Sequence, residues 1–127
     1  MTPLYVLDAG ALIAAERGKP RVARFFRLAS VGRARLLIPL VVVAEWWRGR
    51  TDAREEILAA AELSASLRAT QAAGVALARL KNVDARQTVD AIVMATAALF
   101  DGIVLTSGPD DLYRLGAHFR GVTVLSV

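Results

Sequence analysis

The apolar positions of the chain fall into short dense runs separated by polar turns, each run the right length for a buried strand or the opening of a helix. "LYVL" (residues 4–7) carries no charge and reads as a buried strand. "DAGALIAAE" follows at once as a helix with Asp8 at or near its N-cap. Residues 20–31 read as a helix beginning at Pro20, a good first-turn residue. "ARLLIP" (34–39) is a second buried strand. The next stretch, "PLVVVAEWWRG", is ambiguous by propensity because its β-branched residues suit either state, but Pro39 in front and Gly49 behind tilt it to helix. Residues 51–65 read as a helix with Thr51 or Asp52 as N-cap and acids in its first turns.

The second half continues the alternation. Residues 66–71 read as a short third strand, and 70–81 and 87–100 as two helices, the second opening at Thr88 and ended by Gly102. "GIVLTS" is a fourth strand, "GPDD" a turn before a short helix, and "GVTVLSV" the last strand. Strands alternating with helices imply βαβ units and a parallel sheet covered on both faces. The expected fold is one three-layer α/β/α domain over residues 1–127 with a central, mostly parallel sheet.

Composition narrows the setting. Apolar residues make up 55% of 127, yet no uncharged run exceeds ten residues, short of the roughly 20 that a membrane-spanning helix requires. The N-terminus has no basic segment and meets Asp8, so it does not read as a signal peptide. With no cysteine there are neither disulfides nor thiolate metal sites. A soluble cytoplasmic protein is the expectation, and the apolar excess leaves an oligomer or partner surface as its outlet. The net charge is +4, and fourteen of the sixteen basic residues are arginine. Seven basic residues between Arg17 and Arg35 form a stripe that suits a polyanion; a solvated helix face explains it equally well.

Charge within the apolar runs carries the chemistry. Glu16, Glu55, Glu56, Glu62 and Asp101 fall at helix ends or on polar faces, and Asp52 is a cap. Asp8, Glu45, Asp90 and the pair Asp110–Asp111 differ, because each sits beside an apolar run near the end of a strand or the start of a helix. In an open parallel sheet the carboxyl ends of the strands line the crevice where ligands bind. Two carboxylates about 5 Å apart would repel by roughly 3 kcal/mol at an effective dielectric of 20, so a cluster needs a compensating charge. With one histidine, two lysines and no cysteine available, an all-oxygen cluster suits Mg²⁺ or Mn²⁺ and the chemistry of phosphodiester cleavage. Taken alone, Asp8 reads as a helix cap and Asp110 and Asp111 as turn or cap residues, Glu45 suits a solvated face as well as a functional one, and Asp90 leans functional because its helix has so little polar surface. His118 reads as a surface histidine. Adjacent on a helix, Trp46 and Trp47 point about 100° apart, so one packs inside and the other faces a surface.

"LYVLDAGALIAAE", "LVVVAEWWRG", "TVDAIVMATAALFDGIVLTSGPDDL" and the final short strand resemble, in order and spacing, the PIN-domain ribonucleases, and among them the VapC toxins of bacterial toxin–antitoxin systems. The resemblance runs from residue 4 to 125. It implies a compact α/β/α fold, an acid cluster binding Mg²⁺ or Mn²⁺, cleavage of RNA, a homodimer, and a cognate antitoxin whose C-terminal segment lies over the cleft. Carried over by residue, the acids are Asp8, Glu45 and Asp90. Two departures stand out. Gly10 replaces the usual Ser or Thr, removing a hydroxyl near the metal, and Gly108 replaces an Asp or Asn, so the fourth acid falls to Asp111, with Asp110 the alternative. The expected mechanism is hydrolysis by metal-activated water, with Asp8 and Asp90 holding the metal, Glu45 a ligand or water-orienting base and Asp111 completing the ring. The rival expectation, resting on Gly10 and Gly108, is a module that binds RNA or an antitoxin without turnover. Receiver and haloacid-dehalogenase readings fail for want of a second acid beside or two residues after Asp8.

Overall fold

The structure, a computed structural model, describes residues 2–127. Its strands are β1 (Leu4–Leu7), β2 (Arg35–Pro39), β3 (Glu62–Ser64), β4 (Ile103–Thr106) and β5 (Thr123–Ser126). Its helices are α1 (Ala9–Glu16), α2 (Pro20–Ser30), α3 (Leu40–Trp46), α4 (Asp52–Ala60), α5 (Leu67–Leu77), α6 (Ala85–Phe100) and α7 (Pro109–Tyr113), with a 3-10 turn at Gly116–His118. All five strands run parallel in the order β3-β2-β1-β4-β5. The chain therefore builds outward from β1 in one direction through β2 and β3, then returns to add β4 and β5 on the other side. That reversal opens a crevice beyond the carboxyl ends of β1 and β4.

The central strands are buried because helices cover both faces. Val6, Leu7, Ile38, Val104 and Leu105 have no exposed surface, which is why these strands read as unbroken apolar runs. Helices α1, α2 and α4 pack together, while α5 lies against α6 and α6 crosses β1, β2 and β4. Tyr5 of β1 meets Phe25 of α2 edge-on at 4.7 Å between ring centroids. In α6, Val89, Ala91, Val93, Met94, Ala95, Thr96 and Ala97 are all buried, and the Thr96 hydroxyl is satisfied by donating to Ile92 O at 2.7 Å. Among the described residues no helix is long and apolar enough to cross a membrane.

Several boundaries differ from those the sequence suggested. Helix α4 stops at Ala60 instead of running to 65, and the third strand is Glu62–Ser64 instead of 66–71. Its three residues are exposed or half-buried at the sheet edge, so no apolar run marked it. Ser66 instead caps α5 by accepting from Ala69 N at 3.1 Å. Helix α6 opens at Ala85, not near Thr88, because Asp84 and Gln87 form a reciprocal capping box: Gln87 N donates to Asp84 at 2.8 Å and Asp84 N to Gln87 at 3.2 Å. Helix α3 ends at Trp46, short of Gly49. "GPDD" is the first turn of α7, with Pro109 leading, and not a turn ahead of it.

Glu16 does more than sit on a polar face. Its carboxylate accepts from the indole N–H of buried Trp46 and lies 3.2 Å from Arg54 Nε, which ties α1, α3 and α4 together. Arg54 also donates to Gly49 O at 2.8 Å, although its Nε is buried without a well-aligned hydrogen bond. Trp47, half-buried, meets Trp46 edge-on at 6.0 Å. Glu16→Ala leaves an indole N–H and a largely covered guanidinium without their acceptor, and should cost about 2 kcal/mol in urea denaturation. Glu16→Gln, which retains an acceptor, should cost clearly less.

Candidate active site

The crevice beyond β1 and β4 is a cleft of about 260 Å³ lined by Asp8, Glu45, Asp90 and Asp111, with Arg86, Thr106 and Ser107 beside them. Each acid arrives by a different route. Asp8 is the first residue past β1, where its amide donates to Leu105 O at 3.3 Å and its Oδ1 caps α1 through Ala11 N at 2.8 Å. Cap and pocket residue are thus one role, since capping fixes the carboxylate at the cleft. Glu45 projects from α3 between buried Val42 and Trp46. Asp90 lies in the second turn of α6, flanked by buried Val89 and Ala91. Asp111 comes from the first turn of α7. Asp110, beside it, is exposed and does not line the cleft, so of the two it is Asp111 that the fold delivers.

The surroundings raise the pKa of three of these groups, Asp8, Glu45 and Asp90. Burial raises the pKa of Asp8, and Asp111 adds to the rise, while the Thr106 hydroxyl and the amides of Ala11 and Gly10 oppose it. Glu45 is raised by burial and then by Asp8, against the pull of Arg86 and Arg48. Asp90 is pushed up to about 7, first by burial and then by the charges of Asp8, Glu45 and Asp111, with Arg86 opposing. The carboxylates share the cleft without closing into a ready cage. Among the described residues no three acidic or histidine side chains converge tightly enough to ligate one ion as they stand. The donor set nevertheless suits a hard divalent cation. It is all oxygen, and burial and repulsion raise three of its members, a penalty that a doubly positive ion among them would cancel.

The two glycines at this site have structural counterparts. A β-carbon added at Gly10 would land on Ser107 Oγ, 3.3 Å from Ser107 N and 3.4 Å from Asp8 Oδ1. A hydroxyl is therefore present in the cleft, supplied from the end of β4 instead of from α1. At Gly108 an added β-carbon would lie 3.7 Å from Asp111 Oδ2, so the Asp111 carboxylate leans over the position that lacks an acid. Gly108 N donates to Thr106 Oγ1 at 3.0 Å, which pins this loop.

The sequence reading missed Arg86, Thr106 and Ser107. Arg86 stands four residues before Asp90 and so shares its helix face, a relation hidden when the helix is started at Thr88. The basic stripe, which it read as suiting either a polyanion or solvent, lies elsewhere. No residue of the stripe from Arg17 to Arg35 lines the cleft, and Arg35 is paired with Glu62 at 2.7 Å. Arg50 approaches Asp52 and Glu55 at 3.5 and 3.8 Å, and Arg48 donates to the carbonyls of Ala44 and Trp47. His118 sits apart, beside Phe119 in a groove along α5 and α6.

Two predictions follow from this geometry. Unfolded Asp90 ionises near 3.8, whereas folded Asp90 retains its proton to about 7. Between those values the folded chain binds the extra proton, so in EDTA stability should fall as pH rises from 4 through 7. Allowing for water reaching a half-buried group, the loss is about 2 kcal/mol. In thermal melts Asp90→Asn should flatten that fall, and Mn²⁺ at pH 8 should restore wild-type stability. Secondly, Gly10→Ala should stabilise α1 by about 0.5 kcal/mol when Ser107 is also changed to glycine, and lose that gain when Ser107 is present. A double-mutant cycle measures the coupling.

Comparison with known proteins agrees with the architecture. The family model described as PIN domain matches residues 5–117. No curated protein matches the sequence significantly. Among solved structures, the fold is similar to VapBC2 from Rickettsia felis bound to a DNA fragment from its promoter, with a TM-score of 0.73, 14% identity and 98% of each chain covered. It is similar to DNA-bound VapBC from Salmonella typhimurium, with a TM-score of 0.67, 20% identity, and 99% of this chain and 98% of that one covered. PAE2754 from Pyrobaculum aerophilum gives 0.60 and 18%, over 98% of this chain and 92% of that one. At these identities the likeness is one of fold.

Proposed function

The chain belongs to the PIN-domain family, generally a family of nucleases, and from that premise we propose that it is a divalent-metal-dependent endoribonuclease, the toxin of a toxin–antitoxin pair. The observation that carries the reading is the gathering of Asp8, Glu45, Asp90 and Asp111 around one cleft at the reversal point of the sheet. Those four side chains would hold Mg²⁺ or Mn²⁺, which when bound supplies a Lewis acid for phosphate oxygens and lowers the pKa of water.

The protein's own part is positioning and proton handling. Asp8, fixed by its cap on α1, and Asp90, held by a helix with a closed capping box, form the rigid side of the site. Glu45, anchored one residue from the Trp46–Glu16–Arg54 tie, orients the attacking water and takes its proton. Asp111 completes the ring from α7. Water attacks phosphorus in line with the 3′ oxygen, the P–O3′ bond breaks with its electron pair going to O3′, and O3′ takes a proton from solvent water, leaving a 5′-phosphate and a 3′-hydroxyl.

A cognate antitoxin and a second copy of the chain are the proposed partners. Exposed Leu40, Leu63, Leu67 and Phe100, on neighbouring clefts around the β3 edge, support the existence of such a surface. A module that binds without turnover is the second reading. It rests on Gly10 and Gly108, and is weakened by the hydroxyl of Ser107 and the lean of Asp111.

With Mg²⁺ or Mn²⁺, the wild type should cleave single-stranded RNA, and Asp90→Asn should cut at least about 100-fold more slowly. One unit charge about 5 Å from the reacting centre corresponds to roughly 3 kcal/mol. Equal rates for the two proteins, or no cleavage with either ion, would refute the assignment. Growth arrest on induction that persists with Asp8→Ala would favour the binding module.

A further inference from the structure

An acid-lined cleft repels the strand it is meant to cut, so something beside it must hold the phosphates. The arginine stripe of α2 contributes nothing to the cleft wall. A second cleft does adjoin it. This space, about 480 Å³, lies between the loop ahead of α6 and helix α7, and shares Arg86, Asp90 and Asp111 with the acidic cleft. The two share one wall. Beyond the shared residues its walls carry Lys81 and Arg114.

Three cations of this second cleft are free to meet an anion. Among the described residues none of Lys81, Arg86 and Arg114 forms an ion pair or a side-chain hydrogen bond. Asp84 also lines this cleft, with its Oδ1 taken up in capping α6. Asp90 and Asp111 belong to the acidic side of the shared wall. Gln87 gives its carbonyl oxygen to the capping box, which leaves its NH₂ as a donor, and Asn82, in a left-handed turn at φ 57°, adds an amide. Arg86 and Asp90 stand four residues apart on α6, about 6 Å along the axis, a step comparable to that between neighbouring phosphates of a strand.

We propose that the cleft walled by Lys81, Arg86 and Arg114 is a backbone subsite that grips the phosphodiester next to the one placed among the acids. Its ligand is single-stranded nucleic acid, held through phosphate by guanidinium and ammonium groups and through sugar or base edges by the amides of Asn82 and Gln87. The proposal rests on the nuclease reading, and it sets the direction of the strand's path: away from α2, past the start of α6 and along α7.

The test is binding of a fluorescein-labelled single-stranded RNA to the full chain carrying Asp90→Asn, measured by anisotropy across a salt series. Lys81→Ala with Arg114→Ala should weaken binding about 10-fold, and should reduce the slope of log affinity against log salt by about 1.4, the value for two lost contacts to a single strand. Lys81→Arg with Arg114→Lys should retain the slope. In the active protein the alanine pair should raise KM and leave kcat within twofold. Arg21→Ala with Arg24→Ala on α2 should change neither. An unchanged slope for the Lys81/Arg114 pair, or an equal fall for the α2 pair, overturns the subsite while leaving RNA cleavage by the wild type intact. Loss of affinity for a polyglutamate peptide but not for RNA overturns it in favour of a protein-docking surface. Absence of both RNA binding and cleavage in the wild type refutes the nuclease reading itself, and the subsite with it.

Discussion

The crowding of partly covered carboxylates at one cleft is the constraint on which the rest of this structure depends. Two acids about 5 Å apart in a partly desolvated cleft oppose each other by roughly 3 kcal/mol, and here four line one cleft of about 260 Å³. Left to themselves such groups would swing to solvent or take up protons, and Asp90 leans toward the second, its pKa pushed up to about 7 by burial and then by its neighbours' charges. The first is prevented by the backbone. Asp8 is held by the amide of Ala11, Asp90 by a helix buried on most of its faces, and Glu45 by a short helix pinned through its neighbour Trp46. None of these devices belongs to the acids as such. Each is an ordinary cap, core face or polar tie, placed where it stops a carboxylate from escaping.

The sheet order explains why the acids meet. Because β1 is central and the chain turns back to place β4 on its other side, the residues just past β1 and just past β4 emerge side by side. Asp8 and the segment from Ser107 to Asp111 are therefore neighbours in space although about a hundred positions apart in sequence. Helix α6 then crosses beneath, in contact with β1, β2 and β4, and brings Asp90 to the same place. The site is a property of the topology, and the individual motifs supply only the residue types.

Much of this was legible in the sequence, and the exceptions have physical causes. Strands β1, β2 and β4 are buried on both faces, so they survive as unbroken apolar runs, and Pro20 marks α2 without ambiguity. Strand β3 is three residues at the edge, two of them exposed, and it carries no pattern. The stop of α4 at Ala60 is set by that strand and not by glycine or proline. The capping box at Asp84 and Gln87 could have been found, since an acid three residues ahead of a glutamine is a helix-start signature. Thr88, just before the apolar run, competed for the role. The cost of that slip was functional: with α6 begun three residues late, Arg86 fell into a loop and its place above Asp90 was lost. The four acids, by contrast, stood out because each interrupts an apolar run. Choosing between Asp110 and Asp111 needed the structure, in which both are exposed but only Asp111 lines the cleft.

The two glycines illustrate how departures can be correlated. Taken singly, Gly10 removes a hydroxyl and Gly108 removes an acid. The structure places Ser107 Oγ where a side chain at position 10 would begin, and sets Asp111 Oδ2 near the missing one at 108. Both substitutes come from the single segment that follows β4, fixed locally by the Gly108 amide donating to Thr106. In the proposed reading, hydroxyl and fourth acid therefore depend on one exposed loop and a five-residue helix, instead of being divided between that loop and α1. A short helix without a side-chain cap holds its residues less firmly than α1 or α6 do. The rigid half of the site is then Asp8 with Asp90, and the adjustable half is the stretch from Ser107 to Asp111. In that reading cation affinity would depend on how well that stretch is ordered, and Arg114, the residue that follows α7, would link the ordering of α7 to whatever occupies the second cleft beside it.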